Sequence, residues 1–380
     1  MKRIILRGLL LCAFAFAAAL GMPADTAVRT EHFEVISDGD DAGLIAREME
    51  ERFDVYDRLI RFDPAVLSGP LRVRAFGKKE AYNAYVVSRF GSEAPGAVYL
   101  HYGEAGQREL VISRDAGDAL SYQSFLQFFR AFVPQPPAWM KEGLAVYFSS
   151  LVRSDEGELS LRENLDWLET VKTLANPPSP EAILLADTGE RPEPFPALAW
   201  SLVSFFLNSG KEEYVRSLTD SFMVLSADSS AAENAGAVMK RIARWNNMEN
   251  LAADYRRYLE SRKTLVELIA GGQRAYAGGD MAGAEAAFRA VLERKADHYV
   301  PYYYLGLIAY NAKNYPLAEE HYFSSLGYGA ENALVFYALG LNAAAAGSNA
   351  EAADYLRQAA EIAPDRYREK AEDLIARLLN

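Results

Sequence analysis

Cysteine is almost missing from this 380-residue chain, and the one present, Cys12, lies inside an apolar run near the start. Beyond that run there is no thiol, which excludes disulfides, thiolate metal sites and a cysteine nucleophile. Cys12 comes too early in the run, and among the wrong neighbours, for acylation as in a lipoprotein. Histidine is scarce too, with only His32, His101, His298 and His321 to act as ligands or bases. No Gly-x-Ser-x-Gly turn exposes a serine nucleophile. Gly278-Gly279-Asp280 is not followed by Gly-Lys-Ser/Thr, so it reads as a turn and not as a phosphate cradle. No block of about five or six like charges offers a basic patch. The formal charge of −12 repels nucleic acid and anionic lipid alike.

What is present begins with an address. Lys2, Arg3 and Arg7 surround the start of an apolar, small-residue run from Leu9 to Leu20, and Ala19-Leu20-Gly21 offers small side chains for cleavage. Residues 1–21 therefore read as an export signal. The alternative is a retained anchor, but a run of about 12 apolar residues falls short of the roughly 20 that span a bilayer. Loss of the signal removes three cations and no acid, taking the charge from −12 to −15. The expected location is the periplasm or cell envelope, with no stable membrane span after cleavage, no nucleic-acid partner and no cofactor.

Residues 31–114 read β-α-β-α-β-β. His32 to Ile36 alternates as a strand, and Ile45, Met49, Phe53, Tyr56 and Ile60 put one apolar stripe on a helix ending before Pro64. Leu71, Val73 and Ala75 alternate with Arg72 and Arg74, and a helix runs from about Lys78 to Phe90. Two further strands, 97–102 and 109–114, flank a turn at 103–106. From Asp118 to Arg262 the patterns predict helices only, broken at Pro134, Pro136 and Pro137, at 176–180 and at 190–196. Trp200 to Leu207 reads as a core helix, and 226–234 as an exposed loop.

The last part of the chain repeats. Gly272, Gly306 and Gly340 are 34 residues apart, as are Ala284, Ala318 and Ala352, and the bulky Phe288, Tyr322 and Leu356; Pro364 closes the third unit. This pattern resembles the tetratricopeptide repeat, in which each unit is two antiparallel helices. Small residues then sit where helices approach closest, bulky ones fill the interface to the next unit, and Arg366–Leu379 supplies a solvating end helix. The resemblance implies a concave face lined by the first helix of each pair, carrying Gln273, Tyr276, Tyr303, Tyr310, Asn311 and Tyr337 toward a protein or peptide partner. Rigid aromatic side chains with polar tips make good anchors. The competing reading is that several of these tyrosines simply pack within the solenoid. No lysine or arginine cluster falls on these positions, which argues against a clamp for an acidic peptide terminus.

A second resemblance lies mid-chain. Pro137-Ala138-Trp139-Met140-Lys141-Glu142-Gly143-Leu144-Ala145-Val146-Tyr147-Phe148 is similar to the Pro-x-Trp-x-x-Glu-Gly-x-Ala-x-Tyr-Phe segment of the gluzincin (peptidase MA-like) metallopeptidases. In that family the glutamate is the third zinc ligand, and His-Glu-x-x-His on the preceding helix supplies two ligands and a base. Here Tyr122 and Leu126 stand at the histidine places and Gln123 at the glutamate place. Leucine has no lone pair to give, a phenol stays protonated near neutrality, and a carboxamide is no general base. Glu142 alone cannot hold zinc. A set of His32, His101 and Glu142 is the rival for an active enzyme, and no spacing supports it. Glu142 is expected either to persist for packing, with Lys141 or Arg130 as its partner, or to mark a cleft that still holds a peptide or glycan without cutting it.

The expected architecture is thus an α+β, metallopeptidase-like domain over 31–262 with a degenerate metal site. An all-α solenoid over 264–380, three repeats plus a capping helix, follows it. The expected function is non-catalytic protein–protein interaction.

Overall fold

The computed structural model describes residues 25–102, 104–153 and 159–379. The signal read at 1–21, and with it Cys12, lies outside the described residues, as does Gly103 of the turn. The chain divides after Arg262 into two compact units.

The first unit is built on a five-stranded sheet. In chain order its elements begin β1 (Thr26–Arg29), β2 (Phe33–Ser37), α1 (Ala42–Ile60), β3 (Leu71–Phe76), α2 (Lys79–Phe90), β4 (Ala97–Leu100) and β5 (Glu109–Ser113). The strand order is β1-β2-β3-β5-β4, with β2, β3 and β5 parallel and the two edges antiparallel. The order of elements read over 31–114 is present, with β1 added in front: four residues of weak alternation, held by pairing with β2 and by packing against α1. Strand β5 is buried along its whole length, because α2 covers one face of the sheet and α3 (Asp118–Phe132) the other. That explains why Leu110, Val111 and Ile112 form a continuous apolar run. The alternating Arg72 and Arg74 reach Glu34 and Glu109, at 3.5 Å each.

Helix α3 is fixed by a ladder of rings. Phe125, Phe128, Phe129 and Phe132 are buried, and Phe125 and Phe128 meet Tyr56 of α1 at 5.3 and 5.5 Å. A polar seam runs beside them: Arg52 donates to Ser121 Oγ at 2.6 Å, and the Tyr56 hydroxyl lies 2.8 Å from Ser124 Oγ.

Beyond α3 come α4 (Ala138–Ser149), β6 (Leu151–Arg153), β7 (Leu159–Leu161), α5 (Leu165–Lys172), α6 (Pro180–Leu184), α7 (Phe195–Asn208), α8 (Glu212–Phe222), α9 (Ala231–Trp245) and α10 (Met248–Ser261). Two expectations need correction. The region from 118 to 262 is not wholly helical, since β6 and β7 pair antiparallel; three residues per strand are too few for a period to show. Nor is 226–234 an exposed loop throughout. Ser230 and Glu233 form a capping box that starts α9 at Ala231. Asn234 is buried, with its amide bonded to the Gln135, Ser226 and Ser229 carbonyls.

Helix α7 is the buried axis of this part, and α4 crosses it closely. A Cβ on Gly143 would lie 2.7 Å from the Ala199 carbonyl carbon and 2.8 Å from Val203 Cγ2.

The second unit is a tetratricopeptide-like solenoid. Its pairs are α11 (Leu265–Ala277) with α12 (Met281–Arg294), α13 (Tyr299–Asn311) with α14 (Tyr315–Gly327), and α15 (Asn332–Ala345) with α16 (Asn349–Ile362). Helix α17 (Pro364–Leu379) closes the array. Ala284, Ala318 and Ala352 are fully buried. The bulky residues do more than fill the joint to the next unit. An added Cβ at Gly272 would stand 2.8 Å from the Phe288 ring, one at Gly306 2.5 Å from Tyr322, and one at Gly340 2.7 Å from Leu356. Each bulky side chain therefore sits on the glycine of its own repeat, and Phe288 also stacks on Tyr304 of the next, at 4.9 Å. The turn between paired helices recurs at Gly279, Lys313 and Gly347, all left-handed with φ of 82°, 60° and 86°.

Two predictions follow from these backbones. Gly143→Ala should cost about 2–3 kcal/mol in urea unfolding, whereas Gly236→Ala, in α9 with nothing within 4 Å, should gain about 0.5–1 kcal/mol. Equal effects at both sites would refute the close α4–α7 crossing. Lys313→Gly should raise stability by about 1 kcal/mol by relieving a left-handed lysine; no gain would contradict that turn.

Candidate functional site

In the first unit, α3 and α4 pack together and bring Tyr122 to Glu142. The Tyr122 hydroxyl donates to Glu142 Oε2 at 2.5 Å, and Lys141 Nζ stands 3.1 Å from Oε1. Of the two expected partners, Lys141 is the one in place; Arg130 turns its Nε to the Pro134 carbonyl at 3.2 Å. Burial first, then the Glu142 charge and hydrogen bond, push the Tyr122 phenol well above its ordinary range. Tyr122 thus gives the Glu142 carboxylate a proton donor. Gln123 turns to the sheet, where its Oε1 accepts from the Tyr99 amide of edge strand β4 at 2.9 Å. Leu126 is half-buried and brings no donor atom. Phe148 stacks on Phe125 of α3 at 5.0 Å, while Trp139, fully buried, meets Phe206 of α7 at 6.0 Å.

These residues do not fit a zinc ion. His32 is bonded to Glu50 Oε2 at 2.7 Å and stacked on Phe53 at 3.8 Å. His101 lies 3.3 Å from the Tyr99 hydroxyl. Among the described residues, no three His, Cys, Asp or Glu side chains are grouped to hold a metal.

In the second unit a trough of about 310 Å³ opens between α13, α15 and α17. Tyr303, Tyr310 and Tyr337 line it together with Leu307, Leu334 and Leu341. Tyr276 and Asn311 are brought to each other instead, with Asn311 Nδ2 donating to the Tyr276 hydroxyl at 3.1 Å. Gln273, on α11, joins neither group. The packing reading holds in part: Tyr303 lies 5.9 Å from Tyr322, and Tyr337 stacks on Tyr367 at 4.8 Å. Yet no hydrogen bond ties the Tyr303, Tyr310 or Tyr337 hydroxyl to another described residue. Burial raises Tyr303 to about 12, so it remains a neutral donor.

Sequence reasoning missed the wall made by α17. Arg366, Tyr367 and Lys370 line the trough, although the end helix was read only as a solvating cap. Arg366 is held by Glu331 at 2.9 and 3.1 Å. The i, i+1, i+4 placement of a cation, a ring and a cation was the signal available. Helices α13 and α15 themselves carry no charged residue.

No family model matches the chain, and no curated protein matches it. Among solved structures, the CopN-Scc3 complex aligns over 32% of this chain and 74% of that one, at 18% identity and a TM-score of 0.27. MamA 41-end from Desulfovibrio magneticus RS-1 aligns over 44% and 94%, at 17% identity and a TM-score of 0.26. Likenesses of this size carry no functional argument. Among the described residues, no helix is long and apolar enough to cross a membrane.

The raised phenol sets a pH dependence. A tyrosine protonated more tightly when folded than unfolded contributes fully below pH 10, and that contribution is lost as pH climbs toward the folded value. Each such group removes about 1.4 kcal/mol per pH unit over that window. Urea unfolding should therefore weaken steeply above pH 10. Tyr122→Phe should cost about 1–2 kcal/mol at pH 7 by leaving Glu142 Oε2 without its donor, and should flatten the alkaline slope. An unchanged slope would show that the Tyr122 phenol ionises as readily folded as unfolded.

Proposed function

We propose that this is an exported, non-catalytic scaffold, in which the repeats hold a protein or peptide partner and the first unit is a peptidase-like domain whose metal site has been filled in. The observation that carries this reading is the trough over α13 and α15. Its tyrosine hydroxyls are free of bonds to described residues, and its leucines offer apolar area beside them. Phenol rings bury large area at small entropic cost, and their hydroxyls discriminate among partner backbones. The charge-free helices favour an occupant that contributes apolar side chains and carbonyl acceptors. The filled-in site is supported by the Tyr122–Glu142–Lys141 arrangement, which satisfies the carboxylate with a phenol and an ammonium. Export is supported by the basic, apolar, small-residue order of residues 1–21.

The test is co-purification of the tagged protein from its own cell envelope. Tyr303→Ala and Tyr310→Ala should each lower recovery of the partner by about tenfold or more, while Tyr122→Phe leaves it unchanged. Partner capture indifferent to both trough variants, or stoichiometric zinc lost on Glu142→Ala, would reverse the reading in favour of the cleft or of an enzyme.

A further inference from the structure

The polar groups of the trough over α13 and α15 constrain what can occupy it. They are the hydroxyls of five tyrosines together with Arg366 and Lys370, and the remaining lining residues are leucine and alanine. All of these polar side chains donate hydrogen bonds, and none is an acceptor alone.

Tyr322 carries the argument furthest. It is 1% exposed, yet it lines the trough, and its hydroxyl is bonded to no described residue. The oxygen is not sealed off, and neither are those of Tyr303, Tyr310, Tyr337 and Tyr367, so an occupant can reach them. Burial first, then the neighbouring Tyr303, Tyr276 and Tyr310, raise the Tyr322 phenol, which therefore keeps its proton to give. A side chain this buried, with an open and unpartnered hydroxyl, calls for an acceptor from outside.

Backbone conformation decides which chain can supply acceptors. A helix spends its carbonyls on its own amides, except in its last turn. A β-strand brings carbonyls but also amides, which need an edge strand to pair with, and a trough walled by α13, α15 and α17 offers none. A proline-rich segment in the polyproline II form keeps its carbonyls free, and its prolines have no N–H to leave unpaired. Its apolar rings suit the tyrosine and leucine walls, and its backbone is ordered before it binds. Charge adds a direction. Lys370 makes no ion pair with a described residue, whereas Arg366 is held by Glu331.

We infer that the occupant is a proline-rich segment in the polyproline II form, its carbonyls accepting from Tyr303, Tyr322 and Tyr337 and an acidic residue meeting Lys370. This rests on the trough being the partner site and narrows the chemistry of that partner.

Isothermal titration of the full chain with acetylated and amidated peptides of equal length tests it. One is proline with a single terminal glutamate, one is alanine with the same glutamate, and one is an amphipathic helix former with leucine at i and i+4. The proline peptide should bind with a Kd of about 100 μM or tighter, about tenfold more tightly than the alanine peptide. Tyr322→Phe keeps the ring that sits on Gly306 and should weaken the proline peptide about fivefold. Tyr337→Phe should do the same and serves if the first variant does not fold. Exchanging the peptide's glutamate for glutamine should cost about threefold in the parent chain and nothing in Lys370→Ala. Failure of the proline peptide to bind at about 1 mM, or binding indifferent to both phenylalanine variants, would overturn the inference. The trough as partner site survives that failure if the helical peptide binds instead and is lost on Tyr303→Ala. It falls as well if recovery of the cellular partner also ignores Tyr303→Ala.

Discussion

At Gly143 a hydrogen stands where any other residue would place a carbon against the Ala199 carbonyl. That single absence lets α4 lie against α7, and the position of α4 in turn sets Glu142 beside Tyr122. The repeats use the same device three times, each glycine receiving the ring or branched side chain of its own second helix. Close approach of backbones is worth more here than added apolar area, because it fixes the separation and angle of whole helices. A methyl group at one of these points shifts everything the helix carries.

The consequence for the first unit is electrostatic. A carboxylate in a half-buried place needs compensation, and a metallopeptidase supplies it with a dication and two imidazoles. In this chain one neighbouring ammonium and one phenol do so, with side-chain exposures of 30% for Lys141 and 19% for Glu142. The phenol stays protonated first because burial disfavours its anion, and then because ionising it would set a second negative charge beside the Glu142 carboxylate. Gln123 ties α3 to the edge of the sheet, so Tyr122, Gln123 and Glu142 all serve cohesion between elements.

How much of this was legible in the residues depends on the range over which each signal acts. The helical repeat was readable because a 34-residue period samples the same contact three times, and the start of the β-α-β-α-β-β order because β2 and β3 alternate over five and six residues. The hairpin of β6 and β7 was not, since three-residue strands give no period. Asn234 was misjudged because a polar residue after Ser-rich sequence suggests solvent, while its burial depends on Gln135, far away in the chain. The partnership of Lys141 with Glu142 was readable as adjacency. That of Tyr122 required knowing that α3 and α4 face each other.

On the proposed scaffold function, the trough of the second unit would select a partner without using the protein's charge. Helices α13 and α15 present tyrosine, leucine and alanine and no ionised group, so long-range attraction plays little part in what approaches them. Discrimination then rests on contact: which side chains fill the space between rings, and which carbonyls reach the phenol hydroxyls. Such selection acts mainly on the dissociation rate. The cations lie only on α17, where Arg366 is already held by Glu331 and Lys370 stands at the border of the trough. A single ammonium at one end gives the trough a direction. A bound segment carrying one carboxylate would be ordered with that group toward α17, although the affinity comes from the rings.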